Sequence, residues 1–374
     1  MDYAAIFKYF HNQRQEFIAL LSQLVSRPSP TGTVEKINSL VDFLADLFAP
    51  FHPRISRTPT TAGDILTLTL RPQIPEPIVF LAHLDTVPVA DSTAEIRIED
   101  DRLYGSGAYD MKNGIALFYF VLKAIEELPM SLDNGLTIIL TPDEENGSHH
   151  SMPFLLQECR SAKAVILPEP PGPDGEVKIR RKAVATLQAR LTGKASHSGI
   201  EPEAGKDANR GLARLIAIID ESLKGDPEVS FNPGVIRGGG ASNIVSPWSE
   251  LQGELRSFSN RQLHDVADRL AGIRRIDEIK TAIHVTIEHP ALEFNEKNQR
   301  LYAVARKIAE SLGYELGHCS SGGASDASNL SSAEIPVIDG LGMRGGGAHA
   351  SDEFVRLDDF SFRATLLLGL FKDL

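Results

Sequence analysis

A short apolar run, Ile78-Val79-Phe80-Leu81-Ala82, lies between Pro77 and Pro88 and is followed at once by His83-Leu84-Asp85. The run is compact and rich in β-sheet formers, so it reads as a strand buried on both faces, the kind that parallel sheets use. Open α/β sheets place their chemistry just beyond the carboxyl ends of such strands. Side chains repeat every two residues along a strand, which puts His83 and Asp85 on one face. That pairing suits a metal-ligating imidazole steadied by a carboxylate. Taken alone, the triplet fits a buried histidine hydrogen-bonded to a nearby Asp equally well.

The same arrangement recurs along the chain. Gly105-Ser106-Gly107-Ala108-Tyr109-Asp110 leads into an apolar stretch. Thr141-Pro142-Asp143-Glu144-Glu145-Asn146-Gly147-Ser148 follows the strand-like Leu136–Leu140, and Pro168-Glu169 follows Ala164–Leu167. Gly346-Gly347-Ala348-His349 and Asp352-Glu353 come last. Gathering so many carboxylates is costly, because like charges raise one another's pKa, unless cations neutralise them. A site for two metal ions is the economical reading. The three glycines before His349 suggest a backbone brought close to something else.

A length of 374 residues suits two domains better than one, and 42% hydrophobic content is ordinary for a globular protein with a sizeable core. A net charge of −12 argues against nucleic acid or an anionic membrane surface as a partner. Cys159 and Cys319 form no C-x-x-C pair and read as free thiols of a reducing compartment. With no signal-peptide pattern and no membrane-length apolar run, a cytoplasmic protein is expected.

Helical spacing over Ala4–Val25 and Val34–Phe48, strands at Ile65–Leu70, Ile78–Ala82, Leu136–Leu140 and Ala164–Leu167, and a helix over Lys112–Leu128 predict a mainly parallel α/β layer. Ile96–Glu99 and Arg102–Gly105 read as a hairpin. After Glu169 the pattern changes to strand-helix-strand-strand-helix-strand, the order of a ferredoxin-like α+β unit. Its strands are expected near Lys182–Leu191, Val235–Ile236, Glu250–Phe258 and Ala282–Ile287, and its helices near Asp207–Leu223 and Gln262–Ile273. Helices over Asn295–Leu312 and Asp358–Phe371 then resume the first pattern. Neither flank completes an α/β layer alone, so the expected organisation is residues 1–180 and 290–374 as one domain, with residues 181–289 inserted.

Taken in order, these motifs resemble those of the M20 metallopeptidases and amidohydrolases, and the likeness spans essentially the whole chain. The wording GSGAYDMKNG at Gly105–Gly114, followed by TPDEENGS at Thr141–Ser148, leans towards the glutamate carboxypeptidase branch. The resemblance implies a phosphorylase/hydrolase-like catalytic domain with an inserted lid that also forms a homodimer. It implies two divalent ions, zinc by default, although imidazole and carboxylate ligands without thiolate also suit cobalt or manganese. Carried over, Asp110 bridges the ions, His83 and Glu169 hold one, and Glu145 and His349 hold the other. Asp85 supports His83. His197, in Lys194-Ala195-Ser196-His197-Ser198-Gly199, corresponds to a histidine that reaches the partner subunit's site as oxyanion donor. Arg256 matches an arginine that pairs with a substrate α-carboxylate, and a guanidinium fork suits that task. Asn243 resembles a substrate-contacting asparagine.

Adjacent side chains diverge on an extended chain, so Glu144 and Glu145 are expected to face different ways. Glu144 is left to act as general base on the attacking water. Asp143 is expected at the solvated surface. Gly322 and Gly323 could present backbone amides to a substrate carboxylate, or simply form a turn before a helix. Glu rather than Asp at position 169 goes, within the family, more with N-acyl-amino-acid hydrolases and carboxypeptidases. The expected function is hydrolysis of an N-acyl amino acid or a C-terminal peptide bond. A dipeptidase or aminopeptidase of the same family, or a catalytically silent metal-binding protein, is the alternative. A dinucleotide-binding reading of Gly105-Ser106-Gly107 lacks the third glycine of the fingerprint. H-E-x-x-H and G-x-S-x-G signatures are both absent.

Overall fold

The computed structural model describes residues 2–88 and 96–374, so part of the segment between the His83 and Asp110 motifs lies outside the described residues. The chain divides into two compact units: Met1–Ile179 with Phe294–Ser321 and Ser325–Leu374, and Arg180–Glu293 with Gly322–Ala324.

The first unit is built on an eight-stranded sheet. Its centre is parallel: strand Ile78–His83 runs between Leu136–Thr141 and Ala164–Leu167, and Val337–Asp339 extends the latter. Gly63–Leu70 and Arg54–Thr60 continue one side antiparallel. The central strands are buried along their whole length, as continuous apolar runs require. Helices Asn113–Glu127 and Phe360–Asp373 supply Phe118, Phe120, Phe360 and Phe371 to one continuous core, which also takes Phe10, Phe17 and Phe48 from the early helices. The early and late stretches of sequence thus share a single apolar interior. A small antiparallel sheet joins Arg97–Glu99, Arg102–Tyr104, Phe354–Arg356 and Gly345–Gly346.

The second unit is an antiparallel sheet with strand order Val229–Gly238, Trp248–Ser257, Ala183–Thr192, Ile279–His289, Arg275–Ile276. Helices Ala208–Ser222 and Asn260–Ala271 bury Leu212, Leu215, Ile219, Leu263, Val266 and Leu270 in a core with the alternating strand residues Ala185, Leu187 and Leu191. The first four strands of that order are those of a ferredoxin-like α+β sandwich.

Differences from the sequence reading are local. The first predicted helix is two, Tyr3–Asn12 and Arg14–Val25, parted at Gln13, whose backbone sits at ψ 0°. Strand Arg54–Thr60 escaped notice because it is an exposed edge with no apolar face and carries Pro59. The longer strand Val229–Gly238 is likewise mostly exposed, so only its apolar pair Val235 and Ile236 signalled it.

Candidate metal centre

Three adjacent parallel strands deliver three loops to one place. His83 ends the middle strand and lies in register with Thr141, the last residue of its neighbour, just before Glu144 and Glu145. Glu169 stands two residues beyond the end of Ala164–Leu167, on the other side. Asp110 comes from the loop that enters helix Asn113–Glu127, and its peptide bond to Met111 is cis. His349 lies on the turn joining Gly345–Gly346 to Phe354–Arg356. Glycine is needed at the start of that turn: a Cβ on Gly345 would sit 2.2 Å from the Phe354 carbonyl oxygen and 2.6 Å from the Tyr109 ring.

His83, Asp110 and Glu169 form one group whose ligand atoms lie close enough to share an ion, and Asp110, Glu145 and His349 form a second. His83 Nε2 lies 3.2 Å from Asp110 Oδ1 and 3.9 Å from Glu169 Oε1. His349 Nε2 lies 3.1 Å from Glu145 Oε2 and 3.6 Å from Asp110 Oδ2. Each oxygen of Asp110 therefore faces a different imidazole. His83 Nδ1 donates to the Asp85 carbonyl at 2.8 Å, which fixes the tautomer and turns Nε2 towards the carboxylates. The donors are imidazole nitrogens and carboxylate oxygens, which suit divalent ions of the zinc, cobalt and manganese type. The buried Oε1 of Glu145 has no hydrogen-bond partner among the described residues, which leaves a lone pair for a cation.

Electrostatics agree with that fit. Burial would raise Asp110, but the two facing histidines hold its carboxyl below the ordinary carboxylate range. Burial would lower His83, but Asp110 and Asp85 raise it well above an ordinary imidazole. The facing Asp110 carboxylate pushes His349 up to about 9. Burial pushes Glu145 up to about 7 and Glu144 well above the ordinary range, with the Glu169 charge adding to the latter. Protons on the imidazoles do here what divalent cations would do better, and metal binding would release them.

The carboxylate of Asp85 does more than the sequence suggested. It is fully buried and takes the backbone N–H of Glu144 at 3.1 Å, that of Glu145 at 3.2 Å and the Thr31 hydroxyl at 3.0 Å. Glu144 and Glu145 are not extended but occupy a single 3-10 turn, Glu144–Asn146. Asp143 is not at the surface: it is 2% exposed, and its Oδ2 accepts the His150 N–H at 2.7 Å. The turn closes through the Asp143 backbone carbonyl, which accepts the Ser148 N–H at 2.8 Å, and the carboxylate ties it to the chain just beyond. Ser148 and Asp326, both buried, hydrogen-bond through their side chains and tie the same turn to helix Asp326–Ser332. Nothing in the sequence signalled the Ser148–Asp326 pair, because its members are 178 positions apart.

The remaining candidates belong to the second unit. His197 is exposed and pairs through its backbone with Ile244, beside Asn243, whose carbonyl accepts the Ser198 N–H at 3.0 Å. Arg256 has its fork engaged by Glu254, two residues away on the same strand face, at 2.6 and 3.2 Å, and its Nη1 donates to the Gly322 carbonyl at 2.6 Å. Gly323 and Ala324 offer their carbonyls to Arg181 at 3.3 and 3.1 Å. That glycine loop turns carbonyls, not only amides, towards its neighbours.

Residues 79–373 match the profile of Peptidase family M20/M25/M40. The chain belongs to that family. This M20-family protein is a hydrolase. It is 27% identical to carboxypeptidase G2 of Pseudomonas sp. (strain RS-16), over 99% of this chain and 92% of that one. It is 26% identical to the succinyl-diaminopimelate desuccinylase of Thioalkalivibrio sulfidiphilus (strain HL-EbGR7), over 95% and 98%. Among solved structures, aminopeptidase PepT from Bacillus cereus ATCC 10987 superposes with a TM-score of 0.82 at 23% identity, covering 96% of this chain and 98% of that one. That last likeness speaks to the fold. No helix among the described residues is long and apolar enough to cross a membrane.

Proposed function

We propose that the protein cleaves the amide bond of an N-acyl amino acid, or a C-terminal peptide bond, at a centre holding two divalent ions. The observation that carries this reading is the division of Asp110, with Oδ1 towards His83 and Oδ2 towards His349. His83 and Glu169 would hold one ion, Glu145 and His349 the other, and Asp110 both. Zinc is the first candidate, with cobalt and manganese as alternatives. Two such ions, when bound, polarise the scissile carbonyl and acidify water.

Within this scheme Glu144 is the general base. Its neighbour Glu145 takes the ligand role, and the Asp85 carboxylate holds the backbone of both. Glu144 accepts a proton from the attacking water and passes it to the leaving amine. His197 is the oxyanion donor, supplied by a second copy of the chain, and Arg256 receives the substrate carboxylate in exchange for its contact with Glu254. Asn243, Gly322 and Gly323 contribute to substrate binding. The names of the two relatives, a carboxypeptidase and a desuccinylase, favour this substrate class, as does glutamate at position 169.

A homodimer through the second unit is part of the proposal. Strand Val229–Gly238 is an edge whose partner among the described residues is Trp248–Ser257 alone, and it exposes Val235 and Ile236. An open edge with apolar side chains is a template for a second copy. Light scattering on the wild type and on Ile236→Glu tests it, with a dimer expected only for the former.

The substrate reading is tested by loading the protein with zinc, cobalt or manganese and measuring turnover of N-acetyl, N-succinyl, N-formyl and peptidyl amino acids. Dipeptides or tripeptides with a free amino terminus serve as the competing class. Preferred cleavage of the latter would replace the proposal with an aminopeptidase, and no turnover of any would leave a silent metal-binding protein.

A further inference from the structure

The carboxylate of Glu353 is 3% exposed and hydrogen-bonds to none of the five candidate ligand side chains. It spends its oxygens on backbone. Oε2 accepts the Gly107 N–H at 2.7 Å, and Oε1 accepts those of Tyr109 and Asp110 at 2.8 and 2.9 Å. Its own carbonyl accepts the Gly105 N–H at 3.0 Å. The loop that presents Asp110 is thus wrapped around one side chain. Gly107 makes the wrap possible by adopting φ +76°, where a Cβ would also meet Thr86 at 2.6 Å.

Placing this charge beside Asp110 is unfavourable on its own. Burial raises the Glu353 carboxyl, and the Asp110 charge adds to that. Charge-assisted N–H bonds of this kind are about twice as strong as neutral ones and offset the cost. Lys112, 1% exposed with its Nζ on the Arg27 carbonyl at 2.7 Å, lies in the same loop, where burial pushes its ammonium down to about 7. A buried carboxylate retained at such a cost has work to do. Glu353 also lies four residues beyond His349, on the same turn, and closes that turn by donating its N–H to the Ala350 carbonyl at 3.3 Å.

We propose that Glu353 is the positioning residue of the metal centre: by clamping the Gly107–Asp110 backbone to the turn that carries His349, it sets the distance between the shared carboxylate and the second imidazole. The proposal rests on the two-ion reading of Asp110. It assigns Glu353 no contact with metal or substrate.

The test compares wild type, Glu353→Gln and Glu353→Ala. The amide of Gln keeps one acceptor oxygen but sets an NH2 against a backbone N–H, so it is the milder change and guards against an Ala variant that fails to fold. Cobalt affinity is measured by competition with a chromophoric chelator, together with the visible spectrum of the cobalt-loaded protein and hydrogen exchange of the metal-free protein. Loss of an outer partner of a ligand costs about 10- to 100-fold in metal affinity. The expected result is a loss of that size for Gln, an altered cobalt spectrum and faster exchange confined to residues 105–110, with a larger loss for Ala if it folds. Wild-type affinity, spectrum and exchange in Glu353→Gln would overturn the clamp while leaving the two-ion site standing. A wild type that binds fewer than two cobalt ions would instead overturn the two-ion reading, and the clamp with it.

Discussion

Asp85 grips Glu144 by its backbone: the Asp85 Oδ1 atom accepts the Glu144 N–H at 3.1 Å while the Glu144 side chain is left free to do something else. The same carboxylate takes the Glu145 N–H, and the Asp85 carbonyl takes His83 Nδ1. One residue thus orients an imidazole from one strand and two carboxylates from the next. Asp85→Asn turns an amide donor towards N–H groups that need an acceptor. Activity should fall by about 10- to 100-fold with the backbone carbonyl contact to His83 intact. Steady-state kinetics with metal analysis by mass spectrometry checks this, and an unchanged kcat would contradict it.

If Glu145 is the ligand, as proposed, Glu144→Gln should keep the shape of the turn and both ions. The rate should drop by about 10²- to 10⁴-fold, the contribution typical of general base catalysis. Loss of metal from this variant would reassign Glu144 as a ligand. Mixed with an equally inactive His197→Ala protein under subunit exchange, it should recover partial activity if His197 acts across the dimer. Absence of recovery after confirmed exchange would place His197 with its own subunit's site.

Asp110 and His349 should differ in what their loss removes. Asp110→Ala deletes the carboxylate common to both candidate groups, whereas His349→Ala touches only the group containing Glu145. Titration of zinc into each variant should find no tight site in the first and one in the second. Two tight sites in Asp110→Ala would end the bridging assignment.

Without metal, stability should fall as pH rises. Glu145 moves from 4.5 up to about 7 on folding, so the folded state holds its proton more tightly than the unfolded chain does. Its stabilising share is complete below the unfolded value and is lost as pH climbs through the folded one. His349, moved from 6.5 up to about 9, extends the same trend to higher pH. Buried Lys112, pushed down to about 7, opposes His349 above that value, so the melting temperature of the metal-free protein should decline between about pH 5 and 7. Divalent ions replace those protons, so the rise in melting temperature on adding zinc should be greater at pH 8.5 than at pH 5.5. Calorimetry at both pH values, with and without metal, decides the sign.

Much of this was legible in the sequence because it rests on short-range signals. His83, Glu145 and Glu169 each follow an apolar strand by at most five residues, and continuous apolar runs mark buried parallel strands well. What escaped was of two kinds. Edge strands such as Arg54–Thr60 bury no face and leave no pattern. Partnerships such as Glu353 with Gly107, or Ser148 with Asp326, join residues 246 and 178 positions apart, and no local rule couples them. Asp143 was misplaced for a related reason: an acidic residue among acidic residues looks solvated until the closure of its own turn is seen.

The interior of the first unit is assembled from stretches that the ribosome makes far apart in time. Helix Phe360–Asp373 contributes Phe360, Leu366, Leu367 and Phe371 to the same interior as Phe10 and Phe17. A nascent chain therefore holds its early helices and strands without this apolar cover until that helix emerges, while the second unit lacks only Gly322–Ala324 once Glu293 is made. His349 arrives in that same late stretch, so the second candidate ion group and the sealing of the interior become available together, whereas His83, Asp110 and Glu169 of the first group are made long before.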